Sequence, residues 1–332
     1  MTPPPYDGLM TQAYPVPTSL SPSRVDSFTS CPLAFRFASI DKLPERPNIH
    51  ATKGSLVHRA LELLFVEPPA RRTVETALDA LDRAMTEFHT DPDFTLLGLD
   101  EAAQTAFFDE AEALVRNYFT MEDPRTIREI GIELRLEVAV GNLRLRGIID
   151  RLELDGDGEL VVTDYKTGRP PRVQHEQGRL AGVHFYAYLC QQLFGRRPSR
   201  VQLMYLSTGE TIVARPTEQS VAFLPKRTLA VYGAVERACA TGEFRPRSGA
   251  LCNYCAFQRW CPAFGGDPDR AAEEAPAVFA GLVAAATDVV PGDSGDTLAT
   301  RIGDARDDLA GTEAGGAPDG ATDAVVDQPV AV

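Results

Sequence analysis

The sequence predicts an α/β fold, a mixed β-sheet flanked by helices. Three observations lead there. Four helical segments occupy roughly the first 120 residues. The hydrophobic period then drops to two over three consecutive segments separated by tight-turn residues. After those come a helix, a strand pair and a long helix, an alternation that belongs to helices packed on a sheet.

Each element has a local reason. Ser21 before Pro22 is an N-cap with proline at the first helical position, and the short helix it opens ends near Cys31-Pro32. From Gly54 to Phe65, Leu56, Ala60, Leu63 and Leu64 recur at helical spacing, and 73–89 and 99–119 are two further amphipathic helices. Ile132, Leu134, Leu136, Val138 and Val140 then alternate with Glu133, Arg135 and Glu137, the pattern of a strand. Gly141-Asn142 turns the chain into a second strand, Leu143 to Leu154. Asp155-Gly156-Asp157-Gly158 turns it again into a third, Glu159 to Lys166. A helix at about 175–194, strands at 200–207 and 210–215 and a helix at about 218–241 complete the body.

The chain of 332 residues divides into a Pro-rich leader (1–18), a body (19–266) large enough for one sizeable core, and a tail (267–332) of Ala, Gly, Asp and Thr. Leader and tail read as disordered, because neither buries enough apolar surface to order itself, apart from an apolar cluster, Ala277 to Ala286, that could form a transient helix. The tail holds fourteen Asp and Glu against three Arg, −11 of the total −14. The body is near neutral, so the overall charge does not argue against a nucleic-acid partner. No apolar run approaches the ~18 residues of a membrane span, and no secretory signal pattern opens the chain. The expected location is cytoplasmic, where six cysteines serve better as metal ligands or core residues than as disulfides.

The most informative stretch is Gly147-Ile-Ile-Asp150 followed by Asp164-Tyr-Lys166-Thr-Gly168. Residues two apart on a strand share a face, so Asp164 and Lys166 project together, with Asp150 on the neighbouring strand. Carboxylates hold a hard divalent cation such as Mg²⁺ or Mn²⁺, and a lysine beside them orients water and offsets developing charge. Such a trio also makes a surface ion pair, but the flanking Ile148, Ile149, Val161 and Val162 place it on a covered sheet, where unpaired carboxylates are expensive. His58 and Glu62 lie one helical turn apart on one face upstream.

Cys252-Asn-Tyr-Cys255 and Cys261 give C-x₂-C-x₅-C after the last long helix, a metal signal that lacks a fourth ligand. Cys31, far upstream, is the best candidate for it, whereas Cys190 and Cys239 lie in helical patterns as small core residues. Four thiolates suit zinc and an iron–sulfur cluster equally on chemistry alone. Tyr254, Phe257, Arg259 and Trp260 beside them either pack around the site or stack on a DNA strand.

In order and spacing, Gly-x-x-x-His, Gly-Ile-Ile-Asp-Arg and Asp-Tyr-Lys-Thr-Gly resemble the RecB-type branch of the PD-(D/E)XK nucleases over most of residues 19–264. The resemblance implies a restriction-endonuclease-like sheet, with the metal held by His58, Asp150 and Asp164 and the attacking water assisted by Lys166. Glu133, on the preceding strand, is a supporting candidate. So is Tyr186, on the helix that in this family often carries Gln-x-x-x-Tyr, although Gly182 stands where the glutamine would be. One cysteine before the nuclease core and three after it resemble the iron–sulfur nucleases of the AddB and CRISPR-adaptation type. By that likeness Cys31, Cys252, Cys255 and Cys261 hold a [4Fe-4S] cluster that staples the two ends of the fold.

Two functions follow as expectations. One is a metal-dependent DNA exonuclease of repair or recombination, acting on single-stranded or free ends. The other is a non-catalytic DNA-binding or scaffold subunit of a helicase–nuclease complex. The intact Asp150, Asp164 and Lys166 favour the first. The sequence has no G-x-x-x-x-G-K-[ST], so ATP-driven unwinding is expected from a separate helicase.

Overall fold

The computed structural model describes residues 14–170 and 176–287. A short strand β1 (Ser19–Leu20) leads into helices α1 (Pro22–Ser30), capped by the Ser21 side chain, and α2 (Pro32–Phe35). Helices α3 (Ile49–Val66), α4 (Val74–Phe88), α5 (Pro92–Thr95) and α6 (Glu101–Met121) follow. Three strands come next, β2 (Arg128–Val140), β3 (Leu143–Leu154) and β4 (Leu160–Lys166). The remainder is α7 (Glu176–Phe194), β5 (Arg200–Tyr205), β6 (Glu210–Ala214), α8 (Glu218–Thr241), a run of 3₁₀ turns, and α9 (Ala271–Thr287).

The six strands form one mixed sheet. β3 pairs with β2 along its whole length on one side. On its other side it pairs in parallel with β1 at Arg144 and Leu145, and antiparallel with β4 from Arg151 to Leu154. Among the described residues no strand covers 146–150 on that side, so the sheet is open there. β4 continues to β5 in parallel and β5 to β6 antiparallel. A helical layer covers each face. Leu145, Ile149, Val162 and Val201 meet α7 and α8 through Val183, Leu189 and Val235. On the opposite face Tyr165 and Met204 meet α3, α4 and α6 through Leu56, Leu61, Leu81 and Val115.

The expected helices and strands are present, with shifted starts. α3 begins at Ile49 rather than Gly54 because Asn48 Oδ1 caps the backbone N–H groups of His50 and Ala51, ahead of the apolar period. Packed residues extend beyond the expected body at both ends. Tyr14, assigned to a disordered leader, donates its backbone N–H to Cys239 O at 3.0 Å and packs edge-on against Phe244. Residues 267–287, assigned to the tail, carry a 3₁₀ turn and α9. Ala271 and Ala275 are buried in the first core, and Glu274 accepts a 2.9 Å bond from Trp260 Nε1. Composition gave only a weak sign of this, because α9 docks mainly through small alanines, with Glu274 bonding Trp260 and pairing with Arg259. Residues 1–13 and 288–332 lie outside the described residues.

Gly147 shows what the close approach of α7 to β3 demands. A Cβ there would stand 2.8 Å from Leu189 Cδ1 and 3.2 Å from Tyr186 Cε1. Gly147→Ala is therefore expected to destabilise the protein by about 1–3 kcal/mol through overpacking, read as a lower urea midpoint at unchanged slope.

Candidate metal centre

The site is built where β3 and β4 part. Their pairing runs from Leu154/Leu160 to Arg151/Thr163 and stops, and the next residue on each strand is an aspartate, Asp150 and Asp164. Both are buried. Past the fork, the N–H of Tyr165 donates to Asp150 Oδ2 at 2.7 Å, so a carboxylate replaces the lost ladder acceptor. Lys166, two residues beyond Asp164 on the same face, forms an ion pair with Asp164 Oδ2.

His58 reaches the fork from α3. Its Nε2 lies 3.0 Å from the Tyr165 carbonyl oxygen, which can only accept, so that nitrogen carries the proton. Nδ1 then faces the carboxylates, 3.6 Å from Asp150 Oδ2 and 3.9 Å from Glu133 Oε1. α3 approaches this closely because Gly54 leaves room for Thr167, whose Oγ1 would lie 3.2 Å from a Cβ at that position.

Glu133 joins the site through an unusual backbone. Its φ is +47°, a left-handed conformation rare for a residue with a side chain. The strand's alternation breaks there. Leu134 packs with the α7–α8 core, and Ile132 packs with the α3–α6 core. Glu133 is thereby turned toward His58, which the even apolar/polar pattern of the sequence could not disclose. His58, Glu133 and Asp150 offer ligand atoms within 4.8 Å of one another, the one such group of three or more among the described residues. By sequence Glu133 ranks below Asp164; the geometry brings Glu133 into the group and sets Asp164 against Lys166.

Burial and like charge dominate the electrostatics. Burial, then the neighbouring Asp164 charge, push the Asp150 carboxyl up to about 7, against the opposing pull of His58. Burial disfavours the His58 imidazolium, but the neighbouring carboxylates of Glu133, Asp150 and Asp164 outweigh it and raise its pKa. Tyr186 faces the same cleft without bonding the carboxylates, and burial together with Asp164, Asp150 and Glu133 holds its hydroxyl protonated. Gly182, one turn earlier, opens onto that cleft. A concentration of buried negative charge with one imidazole fits a hard divalent cation, which would relieve the mutual repulsion.

The cysteine positions come together elsewhere. Cys31, Cys255 and Cys261 are half-buried against the α7–α8 core. The Cys255 thiol is pushed up by burial and then by the neighbouring Cys31, Cys261 and Cys252. Phe257 and Trp260 are buried there, whereas Tyr254 is 80% exposed. Cys190 and Cys239 are fully buried in the same core.

Residues 19–262 match the PD-(D/E)XK nuclease superfamily. The chain belongs to this superfamily. It is 23% identical over 267 residues to the Gene 69 protein of Mycobacterium phage D29, covering 74% of this chain and 96% of that protein. It is 26% identical over 167 residues to an ATP-dependent helicase/deoxyribonuclease subunit of Streptococcus agalactiae, covering 48% of this chain but only 15% of that protein. Among solved structures, a candidate exonuclease from Eubacterium rectale aligns over 72% of this chain and 87% of its own at 13% identity, with a TM-score of 0.43.

The raised Asp150 pKa has a consequence for the metal-free protein. A carboxyl whose folded pKa lies above its unfolded value stabilises the fold at low pH, and that stability is lost as pH rises through about 7. Asp150→Asn keeps position 150 neutral at every pH. Its melting temperature in EDTA should exceed that of the wild type at pH 8, with the gap closing as the pH falls to 5.

Proposed function

We propose that the protein is a divalent-metal-dependent deoxyribonuclease, acting as an exonuclease on DNA ends. The observation that carries this reading is the fork itself, which gathers His58, Glu133 and Asp150 within ligand distance beside the Asp164–Lys166 pair. Superfamily membership supports a phosphodiester substrate.

Asp150, Glu133 and His58 Nδ1 would hold Mg²⁺ or Mn²⁺, with Asp164 at the edge of the group. A divalent cation, when bound, polarises the phosphoryl oxygens and acidifies the attacking water. The chain's own groups do the rest. Lys166 lies beside the buried carboxylates, where its ammonium can orient the water and balance charge developing on the phosphate. Asp164 holds Lys166 in that position. Attack forms a bond from the water oxygen to phosphorus and breaks the bond to the departing sugar oxygen, which takes up a proton.

The four cysteines are proposed to hold a [4Fe-4S] cluster. The C-x₂-C-x₅-C run of Cys252, Cys255 and Cys261, with Cys31 supplying the fourth thiolate from before the nuclease core, supports this reading. Gly249 N–H already donates to Cys252 Sγ at 3.3 Å, a bond that suits a thiolate.

Asp150→Ala and Lys166→Ala should each reduce Mg²⁺-dependent degradation of end-labelled DNA at least ~10²-fold while leaving the circular dichroism spectrum unchanged. Cleavage in EDTA, or full activity in both variants, would overturn the nuclease reading. DNA binding without cleavage under any divalent metal would favour the scaffold subunit.

Anaerobically purified protein should be brown and contain about four irons per chain. Cys31→Ser should bleach it as fully as Cys255→Ser does, and Cys190→Ser should not. One zinc in a colourless protein would refute the cluster.

A further inference from the structure

A cleft of about 1300 Å³ extends from Asp150 and Lys166 along the open edge of β3, lined from both faces of the β2–β3 hairpin and by α1, α7 and α8. It opens where β3 has no neighbour between β1 and β4. On the outer face of the hairpin the register sets Arg135 opposite Ile148 and Glu137 opposite Arg146, and Ala139 opposite Arg144 one step further out. With a rise of ~3.3 Å per residue, Arg135 stands about 7 Å from Glu133 and Arg146 about 13 Å from Asp150. Cations are thus spaced along a line that starts at the metal centre.

The charge balance of this face is positive, in contrast to the acidic fork. Arg144 and Arg146 share one carboxylate, Glu137. Arg135 is exposed and, among the described residues, makes no ion pair or hydrogen bond. Across the cleft, α8 contributes exposed Arg227, whose charge lowers the pKa of Asp26 on α1 against the larger effect of burial. Between Arg146 and Asp150, Ile148 is left 45% exposed on the cleft floor. Structural economy does not explain an uncovered isoleucine flanked by arginines beside a cluster of carboxylates.

We propose that this cleft is the track of a single nucleic-acid strand, with Arg135, Arg146 and Arg227 taking phosphates and Ile148 packing against a sugar or base. The proposal rests on the nuclease reading of the adjoining site and names how its substrate is held. Phosphates need cations at intervals, and a strand without a partner exposes apolar base faces that an isoleucine can cover.

The test is fluorescence anisotropy of the full chain with a labelled oligothymidylate in EDTA, where binding is read without cleavage. Arg135→Ala combined with Arg227→Ala should weaken binding at low salt roughly tenfold or more. The slope of log affinity against log salt should fall by about 0.7 for each arginine removed, the value for single strands. Ile148→Ala should weaken binding with the slope unchanged. Arg125→Ala, an exposed arginine outside the cleft that pairs with Asp123, should do neither. An unchanged affinity and slope in the double arginine variant, tighter wild-type binding to a duplex than to the single strand, or no wild-type binding at all would each overturn the proposal. Wild-type protein that binds through these residues but never cleaves with added Mg²⁺ or Mn²⁺ would overturn the nuclease reading and leave the track standing.

Discussion

The site depends on a buried arginine next to it. Arg151 has no solvent exposure, and its guanidinium sits at the last paired residue of β3. Nη1 donates to Tyr165 Oη at 2.7 Å and Nη2 to Thr163 Oγ1 at 3.1 Å, both on β4. The guanidinium also forms ion pairs with Glu122 after α6 and Glu153 on β3. A guanidinium taken out of water is stable only with its charge matched and its donors used. The two glutamates match its charge, and three hydroxyls, Tyr118 included, take its Nη donors, only if β3, β4 and the end of α6 hold these positions. Arg151 thereby fixes the point at which the strands stop pairing, and with it the place where two aspartates are left facing each other.

From that constraint the electrostatics of the fork follow. Tyr165 is gripped at its hydroxyl by Arg151, and its backbone N–H and carbonyl serve Asp150 and His58. One residue thus transmits the position of the buried network to both candidate ligands. The left-handed turn at Glu133 adds a third carboxylate at a conformational cost of about 1 kcal/mol or more. Stacking acidic groups where burial already disfavours charge lowers stability in the absence of a cation. The fold tolerates this because the sheet is held independently on either side, by the core under α7 and α8 and by the core under α3, α4 and α6.

The two ends of the fold meet through side-chain packing and charge pairs. Phe37, just after α2, lies 5.3 Å from Phe257 in the cysteine loop. Arg247 donates to Thr29 O at the end of α1, and Arg36 reaches Asp269. Cys31 is thereby held close to Cys255.

Most of the architecture was legible in the sequence, since hydrophobic period and turn chemistry are local properties. The shift from helical spacing to alternation at Ile132, the Gly141-Asn142 turn and the spacing of Asp164 and Lys166 each declare their structure within a few residues. Motif order likewise pointed to His58 and Asp150, two of the three residues that meet at the fork. Three things needed the tertiary structure. Glu133 looks like one solvent-facing glutamate in an alternating strand, and only the strand pairing and the switch between two cores reveal its left-handed backbone. α9 and Tyr14 look like disordered flanks because alanines and a lone tyrosine carry little hydrophobic signal, and their docking surfaces are supplied by other parts of the chain. Arg151 reads as an ordinary charged strand residue, yet it is buried, because the carboxylates and hydroxyls that make its burial affordable come from α6, β3 and β4. Local sequence encodes which elements form; the partners that satisfy a buried charge or an exposed alanine face exist only once those elements have met.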